Sequence, residues 1–247
     1  MLSVQNLSKT FNSLYKPVLN NINLSLKEGE FCVLIGSNGS GKSTFLRSIL
    51  DGHEGYTGQI TINNKENSIA RTKPKIAYVD QNIYNGTISE MTLMENIALG
   101  FIANTKSSFK CYKHYREKAL SILSELDIGL EKYIDRKLLE LSGGQRQIIA
   151  TIIAIISKPA LLLLDEHTSA LDPKMQKFLM DYTNNKIKQA NITSIMITHK
   201  LEDALSYGNR LIMLHEGQIV FESSAEAKSS LKLAELTDLF YKFQNNS

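Results

Sequence analysis

Three short groups of residues carry chemistry, and each has a plain structural alternative. Gly36-Ser37-Asn38-Gly39-Ser40-Gly41-Lys42-Ser43, followed by Thr44, has the spacing GxxxxGK[ST]. Its glycines let successive N–H groups turn toward one point and approach phosphate oxygens closely. A helix starting there adds its positive N-terminal end. Lys42 then reaches the β- and γ-phosphates of a nucleoside triphosphate as a point charge, and the Ser43 hydroxyl suits Mg²⁺. Chance supplies such an octet in roughly one chain of this length in a hundred, so the flanking elements decide.

The second group is the apolar run Leu161-Leu-Leu-Leu164, which ends in Asp165-Glu166. A carboxylate at a strand end can hold Mg²⁺ directly or through water, and its neighbour, pointing elsewhere, is free to act on an attacking water. Taken alone, the two are surface carboxylates closing a strand. The third group is Leu141-Ser142-Gly143-Gly144-Gln145. By itself it is a turn: Ser142 is a good N-cap, the glycines free the backbone, and a helix runs from there to about Ser157, before Pro159. The sharper reading is a second phosphate-binding helix N-terminus.

The elements that must position these groups follow from the hydrophobic pattern. Phe31–Ile35 reads as a buried strand, with a helix over about 42–50 after the phosphate loop, which is the context that motif requires. Leu161–Leu164, Ser194–Thr198 and Leu211–Leu214 read as further buried strands. Asp172 caps a helix that opens on Pro173 and shows Met175, Phe178, Leu179 and Tyr182 on one face. Strands alternating with helices give an α/β class with a parallel sheet covered on both faces. Two regions depart from that rhythm. Residues 1–30 alternate like short antiparallel strands. Residues 87–157 read as helical, with Leu120, Leu123 and Leu126 in a stripe that stops at Gly129. The expected organisation is one domain over 1–247. An α/β core with a β subdomain covers 1–86 and 158–225, a helical subdomain 87–157, and a short helical tail 226–247.

Composition narrows the classes further. The 247 residues are 43% hydrophobic and 21% charged, which suits one sizeable globular core. A net charge of +3 gives no reason to expect nucleic acid. Cys32 and Cys111 make neither a metal cluster nor a disulfide framework, and Cys32 reads as a small core residue. The N-terminus is polar after Leu2, with no secretory signal. The longest apolar run, Ile148–Ile156, falls short of the about 20 residues a span requires. The expectation is a soluble chain that reaches a membrane only through a partner. Lys106, Lys110, Lys113, His114, Arg116 and Lys118 form a basic run, read as a solvated helix face, with a docking surface as the alternative.

The three groups together, in this order, resemble the ATP-binding cassette (ABC) ATPases over essentially the whole chain. The resemblance implies the P-loop core, with an antiparallel β subdomain and an inserted helical subdomain. It implies that Leu141–Gln145 is the family signature, which completes the γ-phosphate site of a second copy facing the first head to tail. By the same resemblance Gln81, after the apolar Ile76–Val79, touches Mg²⁺ and the attacking water and links core to helical block. Ser169–Asp172 is the loop crossing between the two sites. His199 contacts the γ-phosphate and holds Glu166 and the water. Phe11 stacks on adenine, with Tyr15 as competitor.

The implied function is ATP hydrolysis that drives solute transport, in the direction of import, through separate permease subunits. ATP and Mg²⁺ are the cofactors. A paired ATPase subunit, the permease and a substrate-binding protein are the partners, and the place is the inner face of the cell membrane. His167 stands where many relatives carry proline, and is expected near the dimer seam. Asp165–Pro173 and Tyr207–His215 are similar to a bacterial group associated with tryptophan-like amino-acid uptake. Two alternatives stay open: an ATP-gated switch or scaffold on a membrane protein, and a non-transport ABC protein.

Overall fold

Apolar runs without alternation cannot leave either face in water, and they form the centre of the fold. In the computed structural model Phe31–Ile35, Leu161–Asp165 and Ser194–Ile197 are strands buried at every position. The structure describes residues 1–11, 16–51, 55–66, 75–81, 86–103 and 115–244. Tyr15, Cys111, Lys106, Lys110, Lys113 and His114 lie outside the described residues.

The strands and helices, in chain order, are β1 (Leu2–Lys9), β2 (Leu19–Leu26), β3 (Phe31–Ile35), α1 (Lys42–Asp51), β4 (Tyr56–Ile62), β5 (Lys65–Glu66), β6 (Ile76–Val79), α2 (Leu93–Ile102), α3 (Arg116–Glu125), α4 (Gly143–Ile156), β7 (Leu161–Asp165), α5 (Pro173–Ala190), β8 (Ser194–Ile197), α6 (Leu201–Ser206), β9 (Arg210–His215), β10 (Gln218–Ser223), α7 (Ala225–Ser230) and α8 (Leu233–Gln244). They fall into two compact units. One holds residues 1–76, 160–166 and 184–247, the other residues 77–159 and 167–183.

The first unit contains an antiparallel sheet in the order β2-β1-β4-β5. Its β2 shows the alternation of a half-buried strand, with Leu19, Ile22, Leu24 and Leu26 inward and Asn20, Asn23 and Ser25 outward. The unit's other sheet runs β10-β9-β3-β8-β7, with β3 parallel to β8 and β9, and β7 parallel to β8. Register places Leu34 beside Ile197 and Asp165 beside Ile197, so β3, β7 and β8 end level. Three loops therefore leave the same edge of the sheet. That is where ligands gather in doubly wound folds. Cys32 is fully buried, and burial pushes its thiol up to about 12, so it stays a neutral core residue.

The second unit is helical around its own apolar cluster of Leu93, Ile97, Leu123, Leu130, Ile148 and Ile149 with their neighbours. Thr92 caps α2 in a capping box with Glu95. Gly129 takes a left-handed φ of 76° between α3 and the 3₁₀ turn Leu130–Tyr133. Asp172 Oδ1 accepts from the N–H groups of Lys174 and Met175, capping α5. Among the described residues no helix is long and apolar enough to cross a membrane.

Candidate functional site

In the first unit, β3 delivers the chain into the glycine-rich loop and α1 starts at Lys42. Gly41 sits at φ +103°, and a Cβ there would meet the Val18 carbonyl at 2.8 Å, so both conformation and space demand glycine. Lys42 folds back over its own loop, its Nζ donating to the carbonyls of Gly36 and Ser37, both at 2.9 Å. The residue is 7% exposed. Burial lowers its pKa from the ordinary lysine value, and the carboxylates of Glu166 and Asp165 act in the other direction. The Ser40 hydroxyl is buried without a hydrogen-bond partner among the described residues. A buried orphan hydroxyl in a glycine-rich loop that leads into a helix N-terminus suits a phosphate.

The turn between β9 and β10 braces this loop. The Gly217 N–H donates to Ser40 O at 3.0 Å, and Gly217 O accepts from Asn20 N–H at 2.8 Å. A cavity of about 570 Å³ opens beside it, lined by Lys16, Val18, Asn20, Gly39, Glu216 and Gln218. Phe11 is exposed, and the Lys9 ammonium lies 5.3 Å over its ring.

At the end of β7, Asp165 is 4% exposed. Glu166 departs from the strand at φ 50°, a left-handed backbone uncommon for a glutamate. Its N–H donates to Ile197 O at 3.3 Å, and its carboxylate accepts from His199 Nε2 at 2.9 Å. Asp165 is buried within the strand and Glu166 is half-buried just beyond it, so two adjacent acids acquire different surroundings. The structure therefore brings Lys42, Asp165, Glu166 and His199 together at one sheet edge.

The second unit holds Gln81, exposed just past β6, and the run Leu141–Gln145. Leu141 is buried, and Ser142 is exposed at the N-cap of α4. The Ser142 hydroxyl accepts from Gln145 N–H at 3.3 Å, and Gln145 Oε1 accepts from Ser142 N–H at 3.0 Å, a closed capping box. Arg146 Nε donates to Leu141 O at 3.1 Å. Gly144 packs against Leu171, whose Cδ2 would stand 2.8 Å from an added Cβ. Leu171 and Asp172 share with Ser142, Gln145 and Ile148 a cavity of about 440 Å³. His167 is 1% exposed, and burial pushes its imidazole down to about 4, so it is neutral.

Sequence reading passed over Gly217 and Arg146. A glycine in a hairpin signals a turn, and an arginine at a helix start signals solvent. Neither letter announces a backbone carbonyl as its partner.

A phosphate loop at a parallel sheet edge, with two carboxylates and a histidine facing it, defines a P-loop nucleotide-binding domain. Residues 19–169 match the model of the ABC transporter family. The chain is 38% identical to a tyrosine transport ATP-binding protein of Clostridioides difficile (strain R20291), over 97% of this chain and 98% of the relative. It is 34% identical to the phosphonates import ATP-binding protein PhnC 2 of Oceanobacillus iheyensis, over 90% and 89% of the two chains. The dimeric post-hydrolysis structure of the ATP-binding cassette MJ0796, bound to ADP and Pi, superposes with a TM-score of 0.78 at 29% identity, covering 91% of this chain and 99% of that one. The ADP conformation of the cassette MJ1267 gives 0.76 at 26% identity, covering 100% and 99%. The chain belongs to the ABC transporter family. It is a transporter's ATP-binding subunit and an ATP hydrolase.

Proposed function

We propose that this subunit powers import of an amino acid through separate permease subunits, hydrolysing ATP at a seam shared by two copies. The observation that carries the catalytic reading is the Glu166–His199 pair, 2.9 Å apart beside the Lys42 loop. A strained backbone holding a carboxylate against an imidazole is an arrangement a surface strand end has no need of. Lys42 exchanges the Gly36 and Ser37 carbonyls for the β- and γ-phosphates. The loop N–H groups from Ser37 to Thr44 and the Ser40 hydroxyl take the remaining oxygens. Glu166 accepts the proton of the attacking water as its oxygen bonds to the γ-phosphorus, and the bond to the β-phosphate oxygen breaks, leaving ADP. His199 fixes Glu166 and the phosphate.

The donor set of Ser43 hydroxyl, Asp165 carboxylate and Gln81 carbonyl is all oxygen, which fits Mg²⁺. Those residues would hold it, and when bound it neutralises phosphate charge. Phe11 stacks on adenine, with the neighbouring cavity taking base and ribose. Across the seam, Ser142 to Gln145 of one copy meet the γ-phosphate of the other, and Asp172 lies on the crossing loop. A substrate-binding protein delivers the solute, and the permease holds the subunit at the inner membrane face. The relative named for tyrosine transport, 38% identical over nearly full length, favours an aromatic amino acid.

Two experiments test this reading. Glu166→Gln should lower turnover about 10²–10⁴-fold, the share of a general base, and leave ATP binding intact. Unchanged turnover removes Glu166 from that role. Cells lacking the gene should lose uptake of labelled tyrosine or tryptophan, and normal uptake of both excludes the aromatic solute.

A further inference from the structure

Gln147 lies on the first turns of α4, two positions past the signature, and is 2% exposed. Its Nε2 donates to the carbonyl of Asp80 at 3.4 Å, the residue immediately before Gln81. Its Oε1 is equally buried and has no hydrogen-bond partner among the described residues.

The chain is fastened again on the far side of Gln81. Asn96 of α2, 1% exposed, accepts from Ile88 N–H at 2.8 Å and donates to the carbonyls of Ile88, Met91 and Thr92 at 3.0, 3.3 and 3.0 Å. The segment so held is laced to residues 134–139, which run directly into the signature. Leu139 N–H donates to Ser89 O at 3.0 Å, Leu138 N–H to Met91 O at 2.9 Å, and Leu93 N–H to Arg136 O at 2.9 Å. An exposed ion pair, Lys137–Glu90, adds to the seam. Both flanks of Gln81 are therefore bonded to the segments that enter and leave Leu141–Gln145.

We propose that Gln147 is a positioning residue that makes the signature of a chain follow the state of its own Gln81. The inference rests on the shared-site reading above. A buried amide satisfied on one side only is the least settled link in this lattice. It has a second arrangement, in which Oε1 also accepts a hydrogen bond. Movement of the backbone at Asp80 and Gln81 toward bound nucleotide selects between the two and carries α4 with it. Because that signature serves the other copy's nucleotide, occupancy of one site changes the next, and the effect is reciprocal. The result is cooperative ATP use, with a Hill coefficient up to about 2, the number of sites.

The test uses the full-length chain. Gln147→Leu keeps the side-chain size and removes the amide with its orphan acceptor, so the melting temperature should hold or rise. The wild-type Hill coefficient, above one, should fall to one in the variant. The ATP concentration at half-maximal rate should rise about fivefold or more, the low end of allosteric coupling, while kcat changes less. Gln147→Met repeats the measurement should the leucine variant fail to fold. A variant that keeps the wild-type Hill coefficient overturns the inference, as does a wild-type coefficient of one. Mixing Glu166→Gln with Ser142→Arg protein separates the two readings, because turnover recovers only if sites are shared between chains. Recovery together with an unaltered Gln147→Leu coefficient rejects the tether alone; absence of recovery rejects the shared site.

Discussion

The two units hold their chemistry in opposite ways. In the first, Asp165, Glu166 and His199 stand at or just past the ends of strands buried along their whole length, and Lys42 opens α1 after the glycine-rich loop. Glu166 already lies 2.9 Å from His199 Nε2. In the second, Leu141–Gln145 is a helix start whose cap closes on itself, with Ser142 in solvent. The first arrangement is already assembled within its own unit, as catalysis by fixed dipoles and charges requires. The second is stable alone yet faces outward, as a surface does that is completed by something beyond its own unit. Rigid strand ends suit the bond-breaking step, and a self-capped helix end suits a contact made and released each cycle.

Substitutions can break that contrast. The largest effect belongs to Lys42. Lys42→Ala removes a buried ammonium that makes charge-assisted bonds, and ATP affinity should fall about 10²-fold or more. The strands around it are untouched, so far-ultraviolet circular dichroism should not change. Calorimetric titration with Mg-ATP checks this, and near-normal affinity would refute the preassembled centre. A smaller effect is expected at Ser142. Ser142→Ala opens the capping box and costs about 0.5–2 kcal/mol of stability. Its own chain's nucleotide affinity should stay as it was, while turnover drops. Equal loss of affinity and turnover would mean that Ser142 serves the phosphate loop of its own chain, and the contrast between the units would fail.

How far the sequence reveals this contrast depends on whether a role needs a particular letter. The phosphate loop is legible because its glycines and Lys42 keep the GxxxxGK[ST] spacing between a buried strand and a helix. The buried strands are legible because Leu161–Leu164 can satisfy water on neither face. The box Ser142-x-x-Gln145 is legible because capping is local. The turn at Glu166 is hidden: its φ of 50° comes from the exit of β7, where its N–H meets Ile197 O on another strand. Asn96 and Gln147 look like solvent-facing amides. Asn96 is instead bonded to backbone groups 4–8 positions away, and Gln147 to the Asp80 carbonyl, 67 positions away. His167 is likewise polar in the sequence and buried in the fold. Local roles show through composition and spacing, while long-range polar roles do not.

The smallest expected effect comes from a lysine that imitates Lys42 without its purpose. Lys228 of α7 is 4% exposed, and its Nζ donates to the carbonyls of Tyr207 and Gly208, closing the end of α6. Burial pushes its pKa down from 10.5 to about 8. Both lysines are buried and both bind two carbonyls, but Lys228 stands in α7, outside the glycine-rich loop. A lysine whose folded pKa lies below its unfolded one binds fewer protons folded than unfolded between those values, so its contribution to stability rises with pH across that window. From about pH 8 to 10.5 the wild type should therefore gain stability relative to Lys228→Met, and below pH 8 the difference should be flat. Urea unfolding of the two proteins across this range measures it. Nucleotide affinity of Lys228→Met should equal that of the wild type, and a loss there would show that burial and paired carbonyls, rather than the phosphate loop around it, are what make Lys42 distinctive.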